Sequence, residues 1–390
     1  MEYIKRLLEP QIKHHLEREK SLLLLGARQT GKSTLLQRFP ANLTLSFIQP
    51  AIRQRYEKNP ELLGGEIENL NKKISQRPLV LLDEIQKVPF IMDTVQDLID
   101  RNRAQFILTG SSARKLRRGT SINLLPGRLV TLHLDPFVFQ EFGEEKIENT
   151  LFYGALPGIF REKEFKDRET DLQSYVETYL EEEVRAEALV RNLGAFSRFL
   201  ELAGLESGNI VSLRALSQEI GISHTTIASF FEILEDCLVA ERVDPITFST
   251  TRKKLSKSSR YLLFDMGVRR LCTGEGTALT TTRLGELFQQ YVGLELIRHA
   301  RLAEKRIWIK FWRDPDGPEV DWVIETEGEF IPIEVKWSAT PISKDARHLE
   351  TFLNEYPQAK KGYVICQTPN PVEITHRITA ISWKNISELF

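Results

Sequence analysis

The chain has 390 residues, 41% of them hydrophobic and 27% charged, with 53 Lys and Arg against 54 Asp and Glu. That length exceeds one compact core and divides into two or three domains. A formal net charge of −1 excludes a uniformly basic coat for nucleic acid, so any grip on a polyanion has to come from local basic patches.

The N-terminus, Met1-Glu2-Tyr3-Ile4-Lys5-Arg6, lacks the apolar core of a signal peptide. No run approaches the roughly 20 apolar residues that span a bilayer. Cys237, Cys272 and Cys366 lie far apart without metal-ligand spacing and read as reduced thiols. A cytoplasmic location without membrane contact is expected.

Short apolar runs open the chain: Ser21–Leu25, Leu43–Ile48, Leu79–Asp83, Phe106–Thr109 and Leu129–Leu134. Each is bounded by Gly, Pro or charged residues, which predicts a parallel sheet covered on both faces by helices. Between the first run and a predicted helix at Thr34–Phe39 stands Gly26-Ala27-Arg28-Gln29-Thr30-Gly31-Lys32-Ser33. It fits the phosphate-loop pattern G-x-x-x-x-G-K-[ST]. Its glycines let backbone N–H groups of the loop, Gly26 to Thr34, turn toward phosphate oxygens beside a positive helix end. Lys32 then neutralises the β- and γ-phosphates of ATP, and the Ser33 hydroxyl ligates Mg²⁺.

The third run delivers Asp83-Glu84 at its tip. An apolar strand ending in paired carboxylates suits a metal-shell residue, Asp83, followed by a water-polarising one, Glu84. The same pair also serves as a cap for a following helix. Glu84 points to hydrolysis rather than simple nucleotide binding. The fourth run ends in Gly110-Ser111-Ser112, where a polar side chain can sense the γ-phosphate; Ser111 is the first candidate and Thr109 the second. A dense basic stretch follows, with Arg114, Lys115, Arg117, Arg118 and Arg128. Arg128, in Pro126-Gly127-Arg128, is the candidate for an arginine reaching a neighbouring subunit's γ-phosphate. A solvated or DNA-facing arginine is the alternative.

Asp83-Glu84-Ile85-Gln86-Lys87-Val88-Pro89 resembles the "DEIQKxP" hallmark of a large group of prokaryotic AAA-type (AAA+) ATPases, archaeal-type and STAND-related, with a C-terminal domain of unknown function. Leu108-Thr109-Gly110-Ser111-Ser112, Gly127-Arg128, the Leu134–Phe142 stretch and Tyr153-Gly154-Ala155-Leu156-Pro157 match further landmarks of that group. The resemblance runs over essentially the whole chain. It implies an AAA core, a winged-helix segment and a tail resembling PD-(D/E)xK (restriction-endonuclease-like) nucleases.

The expected α/β architecture is therefore an AAA+ core over 1–150, a helical lid or connector over 151–206, a winged-helix segment over 207–272 and a nuclease-like domain over 273–390. Asp171–Ala188 reads as one long charged helix. Leu213–Ile220, Gly221 and Ser223–Cys237 suggest helix, tight turn, helix, with Ser223 as N-cap and His224, Thr225 and Thr226 exposed. The expected wing carries Arg252, Lys253, Lys254, Lys257 and Arg260, with no acidic residue in 251–260. Such a cluster grips DNA phosphates without regard to sequence, unless it is only a solvated loop.

Two predicted strands, at Glu319–Ile324 and Ile331–Trp337, carry Asp321 and then Glu334 and Lys336. Period-2 alternation puts Glu334 and Lys336 on the face opposite Ile331, Ile333 and Val335. In a nuclease-like site Asp321 and Glu334 share Mg²⁺ and Lys336 positions a water. The predicted helix Leu284–Leu296 buries Leu284, Leu287, Phe288 and Tyr291, and carries Gln289 where the resemblance expects Glu. Glu286, one turn earlier, is the candidate substitute.

These readings make an ATP-driven motor or remodeller of DNA the leading expectation, working as a ring, expected to be hexameric in the manner of AAA motors. By analogy with the tail's nuclease relatives, its substrates are branched repair or recombination intermediates. An ATP-dependent Mg²⁺ nuclease in defence, and a nucleotide-controlled switch or scaffold that never touches DNA, are the alternatives.

Overall fold

In a computed structural model, the structure describes residues 3–112, 127–143, 145–180, 193–247, 258–314 and 317–390. The chain forms two compact units, one of residues 1–137, 156–158 and 236–239, the other of 138–155, 159–235 and 240–390.

Among the described residues the first unit contains five strands: β1 (Ser21–Leu25), β2 (Leu43–Ser46), β3 (Leu79–Asp83), β4 (Gln105–Gly110) and β5 (Leu129–His133). All pair in parallel, in the order β2-β3-β4-β1-β5. Every residue of β1 is buried, as a continuous apolar run covered on both faces requires. Leu23, Leu25, Val80, Leu82, Phe106 and Leu108 form one core with Tyr56, Leu63, Ile67, Ile91, Val95 and Leu98 from the flanking helices. Each such leucine buried contributes roughly 2 kcal/mol of transfer free energy.

Strand order is what builds the site. β4 lies between β1 and β3, with Leu25 opposite Gly110 and Leu82 opposite Leu108. Ser46 ends β2 directly opposite Asp83. The carboxyl ends of four strands therefore finish along one edge, where ligands of open α/β sheets bind. The second strand is shorter than predicted: it stops at Ser46, and Ile48 is exposed. The chain turns there into the helix Pro50–Lys58, whose first position suits a proline.

The second unit starts from helices. Of the long helix expected at 171–188, the described part is helical: a helix at Phe165–Ser174 runs into a π-helical stretch, Tyr175–Leu180; residues 181–192 lie outside the described residues. Gly154, in one of the sequence landmarks, has φ +70°, and a Cβ there would lie 1.9 Å from Asp265 Oδ1. Asp265 accepts the N–H groups of Ala155, Gly267 and Val268 at 2.7, 3.0 and 3.2 Å. The landmark glycine is thus a close-approach position in a buried joint.

Leu213–Ile220 ends on Gly221 at φ +78°, and His224–Asp236 follows. The Ser223 hydroxyl accepts the Thr226 N–H at 3.1 Å, the N-cap expected from sequence. β6 (Ala240–Val243) and β7 (Arg260–Leu263) pair antiparallel, and Phe231 stacks on Tyr261 with ring centroids 4.0 Å apart.

The unit ends in a six-stranded mixed sheet: β8 (Trp308–Arg313), β9 (Glu319–Glu325), β10 (Phe330–Val335), β11 (Gly362–Cys366), β12 (Val372–Thr375) and β13 (Ile378–Ser382). Its order is β12-β13-β11-β10-β9-β8. The helix Thr281–Leu302 packs Leu287, Phe288 and Tyr291 against Ile333, Val335 and Trp322, while Leu284 is only partly buried. Among the described residues no helix is long and apolar enough to cross a membrane.

Candidate functional site

The strand edge of the first unit gathers a lysine, two carboxylates and four hydroxyls. Gly26 leaves β1 so close to the Leu134 carbonyl that a Cβ there would lie 2.4 Å from its oxygen. Gln29 and Gly31 have φ of 62° and 92°; left-handed geometry at these two positions curls the loop. Thr30 Oγ1 donates to the Ala27 carbonyl at 2.9 Å and closes the curl from inside. Arg28 is half-buried, while Gln29, Ser33 and Thr34 line the open face.

Lys32 is 5% exposed, and its ammonium donates to the carbonyls of Gly26 and Ala27 at 2.7 and 2.9 Å. Burial pulls its pKa below the usual lysine range, against the fields of Glu84 and Asp83. Glu84 Oε1 lies 3.9 Å from Nζ. The cation is thus surrounded by acceptors of its own loop that a phosphate can replace.

Asp83 receives three hydroxyls. Thr109 Oγ1 donates to Oδ1 at 2.6 Å; Ser33 and Ser46 donate to Oδ2 at 3.0 and 3.2 Å. Glu84 follows in left-handed backbone (φ 58°, ψ 51°), a conformation costing a non-glycine residue about 1–3 kcal/mol. Its N–H donates to Thr109 Oγ1 at 3.0 Å. Its Oε2 accepts from Ser111 Oγ at 3.1 Å and from Gln86 Nε2, which also donates to Ser111 Oγ at 2.9 Å. A hydroxyl beside one carboxylate suits Mg²⁺ that keeps waters and substrate phosphates as its other ligands. Ser33 and Asp83 therefore fit the ion that accompanies a nucleotide.

Sequence reasoning missed three members. Ser46 matters only because β2 neighbours β3, and strand order is not written in a motif. Gln86 stood inside the quoted hallmark without a role. Arg6 donates to the carbonyls of Thr30 (2.8 Å) and Asp135 (2.6 Å), with its guanidinium 4.9 Å from the Phe137 ring centroid; it braces the phosphate loop from a part of the sequence that carried no signal. Arg128 is tied bidentately to Asp100, at 2.6 and 3.0 Å. Arg114, Lys115, Arg117 and Arg118 lie outside the described residues.

A second carboxylate cluster occupies the C-terminal sheet. β9 and β10 pair antiparallel and bring Asp321 near Glu334. The helix Thr281–Leu302 crosses Trp322 so closely that a Cβ at Gly293 would lie 2.5 Å from its ring. Trp322 Nε1 donates to the Gln289 carbonyl at 3.1 Å. That packing presents Gln289, whose Nε2 donates to Asp321 Oδ1 at 2.6 Å. The Val335 N–H takes Oδ2 at 2.8 Å, and Lys336 Nζ donates to Glu334 Oε1 at 2.6 Å.

Burial raises the pKa of Asp321, and burial together with Asp321 pushes Glu334 up to about 8. Both Asp321 oxygens are committed to protein donors, and of the Asp321 and Glu334 carboxylate oxygens the buried Glu334 Oε2 is the one without a partner among the described residues. A divalent cation asks for several oxygens, and no group of three or more metal-capable residues occurs among the described ones. These residues do not fit a resident Mg²⁺.

Two expectations are corrected here. Glu286 does not take the place of Gln289; it is exposed and pairs with Arg283. Arg260 is no surface cation: it is 2% exposed, pairs with Glu319 and donates to the Asp321 carbonyl at 3.0 Å. Its guanidinium sits 4.5 and 5.3 Å from the ring centroids of Phe311 and Trp322, apolar surroundings that its own strand does not reveal. Arg252, Lys253, Lys254 and Lys257 lie outside the described residues.

Residues 18–143 match the family described as an AAA domain. Residues 144–278 and 284–386 match two domains of unknown function, DUF8612 and DUF4143. An uncharacterized protein of Mycobacterium tuberculosis is 24% identical over 343 residues, covering 86% of this chain and 75% of that one. An uncharacterized protein of Methanocaldococcus jannaschii is 22% identical over 431 residues, covering 97% and 87%.

Among solved structures, the Pif1 helicase of Candida albicans aligns at 17% identity over 45% of this chain and 44% of its own, with a TM-score of 0.25. A Vibrio cholerae protein aligns at 9% identity over 95% and 96%, with a TM-score of 0.20. Scores that low carry no weight for fold or function. The AAA match and the parallel sheet support an AAA-type ATPase with ATP as its ligand.

Proposed function

We propose that this chain is an ATP-hydrolysing motor or remodeller that acts on DNA. One observation carries the ATPase part: at a single strand edge, Lys32, Ser33, Asp83, Glu84 and Ser111 converge on the mouth of a left-handed glycine loop. Lys32 would exchange its loop carbonyls for phosphate oxygens, and Ser33 and Asp83 would hold a Mg²⁺ that supplies neutralising charge to the phosphates. Glu84 orients the attacking water, with Ser111 and Thr109 fixing the two carboxylates. The phosphate loop's N–H groups bind the leaving diphosphate.

The DNA part draws on sequence. In sequence, the cations Arg252, Lys253, Lys254 and Lys257 follow a helix-turn-helix whose His224 and Thr225 are exposed, a pattern suited to phosphate contacts. Branched repair or recombination intermediates are the substrates we favour, moved by a hexameric ring in which Arg128 leaves Asp100 for a neighbour's nucleotide. A second reading, a nucleotide-controlled switch that does not act on DNA, gains from the withdrawal of Arg260 into the fold. DNA cleavage loses support, because Gln289 closes the cluster it would use.

The test measures ATP turnover with no DNA, duplex, single strand and four-way junction, beside Glu84→Gln. Stimulation by one DNA form, abolished in Glu84→Gln, is expected. Equal turnover under all four conditions removes DNA from the proposal and leaves the switch.

A further inference from the structure

The Gln86 side chain has more hydrogen-bonding capacity than the resting site uses. It stands in the single turn Ile85–Lys87, anchored by Ile85, which is fully buried in the core. Its amide nitrogen is identified by chemistry, since only an N–H can face the Glu84 carboxylate. The same nitrogen reaches Ser111 Oγ at 2.9 Å, so Glu84, Gln86 and Ser111 form a closed triangle. The amide oxygen is then fixed as well. Gln86 is 7% exposed, and its Oε1 is a buried acceptor without a partner among the described residues.

A buried acceptor left unmade costs about 1–3 kcal/mol, and strain of this kind concentrates where a reactant completes the site. A side chain that only fixed Glu84 would need a donor alone. Glutamine brings an acceptor too, within two residues of the group that polarises the attacking water.

We propose that Gln86 is a second water-orienting residue: its nitrogen holds Glu84 and its oxygen accepts a hydrogen bond from the attacking water. The inference rests on the hydrolysis reading above. A water whose two O–H bonds point at Glu84 and at Gln86 Oε1 keeps a lone pair free for the γ-phosphorus. The oxygen–phosphorus bond forms as the bond to the β–γ bridging oxygen breaks, and that electron pair leaves with ADP. One water proton passes to Glu84 and on to the released phosphate. Ser111, at the tip of β4, fixes both side chains and is a positioning residue.

The experiment compares wild type, Glu84→Gln, Gln86→Met and Gln86→Glu in the full chain. Steady-state turnover, ADP affinity and affinity for ADP with aluminium fluoride or with beryllium fluoride are measured, together with melting temperature. Aluminium fluoride complexes trap the in-line water; beryllium fluoride complexes mimic the bound state. Gln86→Met is expected to lower kcat on the order of 10²-fold, the loss typical of one preorganised hydrogen-bonding group. KM, ADP affinity and ADP–beryllium fluoride affinity stay within about twofold, since Gln86 is given no contact with the nucleotide itself; aluminium fluoride affinity falls with kcat.

Should Gln86→Met fail to fold, Gln86→Glu carries the same readouts: it keeps the size and an acceptor oxygen but loses the N–H that holds Glu84 and sets a second carboxylate beside it, so lower turnover at unchanged ADP affinity is expected there too. Turnover near wild type in the Gln86 variants, with Glu84→Gln inactive, overturns this inference and leaves the hydrolysis reading standing. Equal losses in ADP affinity and turnover also overturn it, because they mean Gln86 only shapes the pocket. Wild type without turnover overturns both.

Discussion

Thr109→Val tests whether β4 holds the carboxylate edge together. Thr109 is fully buried, and its hydroxyl both donates to Asp83 Oδ1 at 2.6 Å and accepts the Glu84 N–H at 3.0 Å. Valine keeps the shape and removes both bonds. Losing a donor to a carboxylate costs about 2 kcal/mol, and stranding the Glu84 N–H costs about 2 kcal/mol more. For a unit of this size, about 4 kcal/mol lowers the melting temperature by roughly 10 °C. Differential scanning calorimetry without nucleotide reads the shift, and Thr109→Ser, which keeps the hydroxyl, is expected to restore most of it. A shift below about 2 °C would refute the reasoning, because Glu84 would then hold its left-handed turn without Thr109.

Further consequences can be measured directly. Lys32→Ala is expected to abolish ATP binding, while Glu84→Gln retains it and loses turnover by about 10²-fold or more; equilibrium binding beside turnover separates the two. Gln289→Glu replaces the donor on Asp321 Oδ1 with a third carboxylate. It is expected to create divalent-cation binding, visible as terbium luminescence sensitised by the neighbouring Trp322, and to lower the melting temperature without metal; a variant as silent as wild type counts against the closed-cluster account. His299 is buried, and burial followed by the Arg298 charge lowers its pKa to about 4. The unfolded chain binds that proton more readily, so this stability is present above pH ~6.5 and is lost as pH falls toward 4, on the order of 3 kcal/mol. His299→Gln removes it; because Glu295 remains in both proteins, the wild-type-minus-variant difference in unfolding free energy isolates the histidine, and a difference flat from pH 7 to 4 contradicts it.

The mixed α/β class and the parallel core were legible because they depend on local patterns. Ser21–Leu25 is apolar at every position, and only a strand covered on both faces needs that. Gly26–Ser33 and Asp83–Glu84 could be singled out for a related reason: the pattern that proposes their chemistry lies in contiguous spacing. Residues that act through tertiary pairing left no such trace. Arg260 follows a run of cations and reads as one more of them, yet Glu319, 59 positions on, draws it into the fold beside Phe311 and Trp322. The helix Phe165–Ser174 passes into a π-helical stretch where charge pattern predicted one continuous helix. Ser46 gained its role from strand order alone.

The two carboxylate clusters differ in how their partners can move. Asp83 is met by hydroxyls from Ser33, Ser46 and Thr109, and a hydroxyl can rotate its proton away and offer a lone pair to a cation. Asp321 is met by the Val335 backbone N–H and the Gln289 amide nitrogen, which have no lone pair to offer and are fixed by the β-strand and by Trp322. A cation arriving at Asp83 therefore gains ligands from the groups it displaces, whereas at Asp321 it would meet donors aimed at it. On this ground the same residue type suits the proposed nucleotide chemistry at position 83 and structural cohesion at position 321, and Gln289→Glu is the single substitution expected to convert the second cluster toward the first.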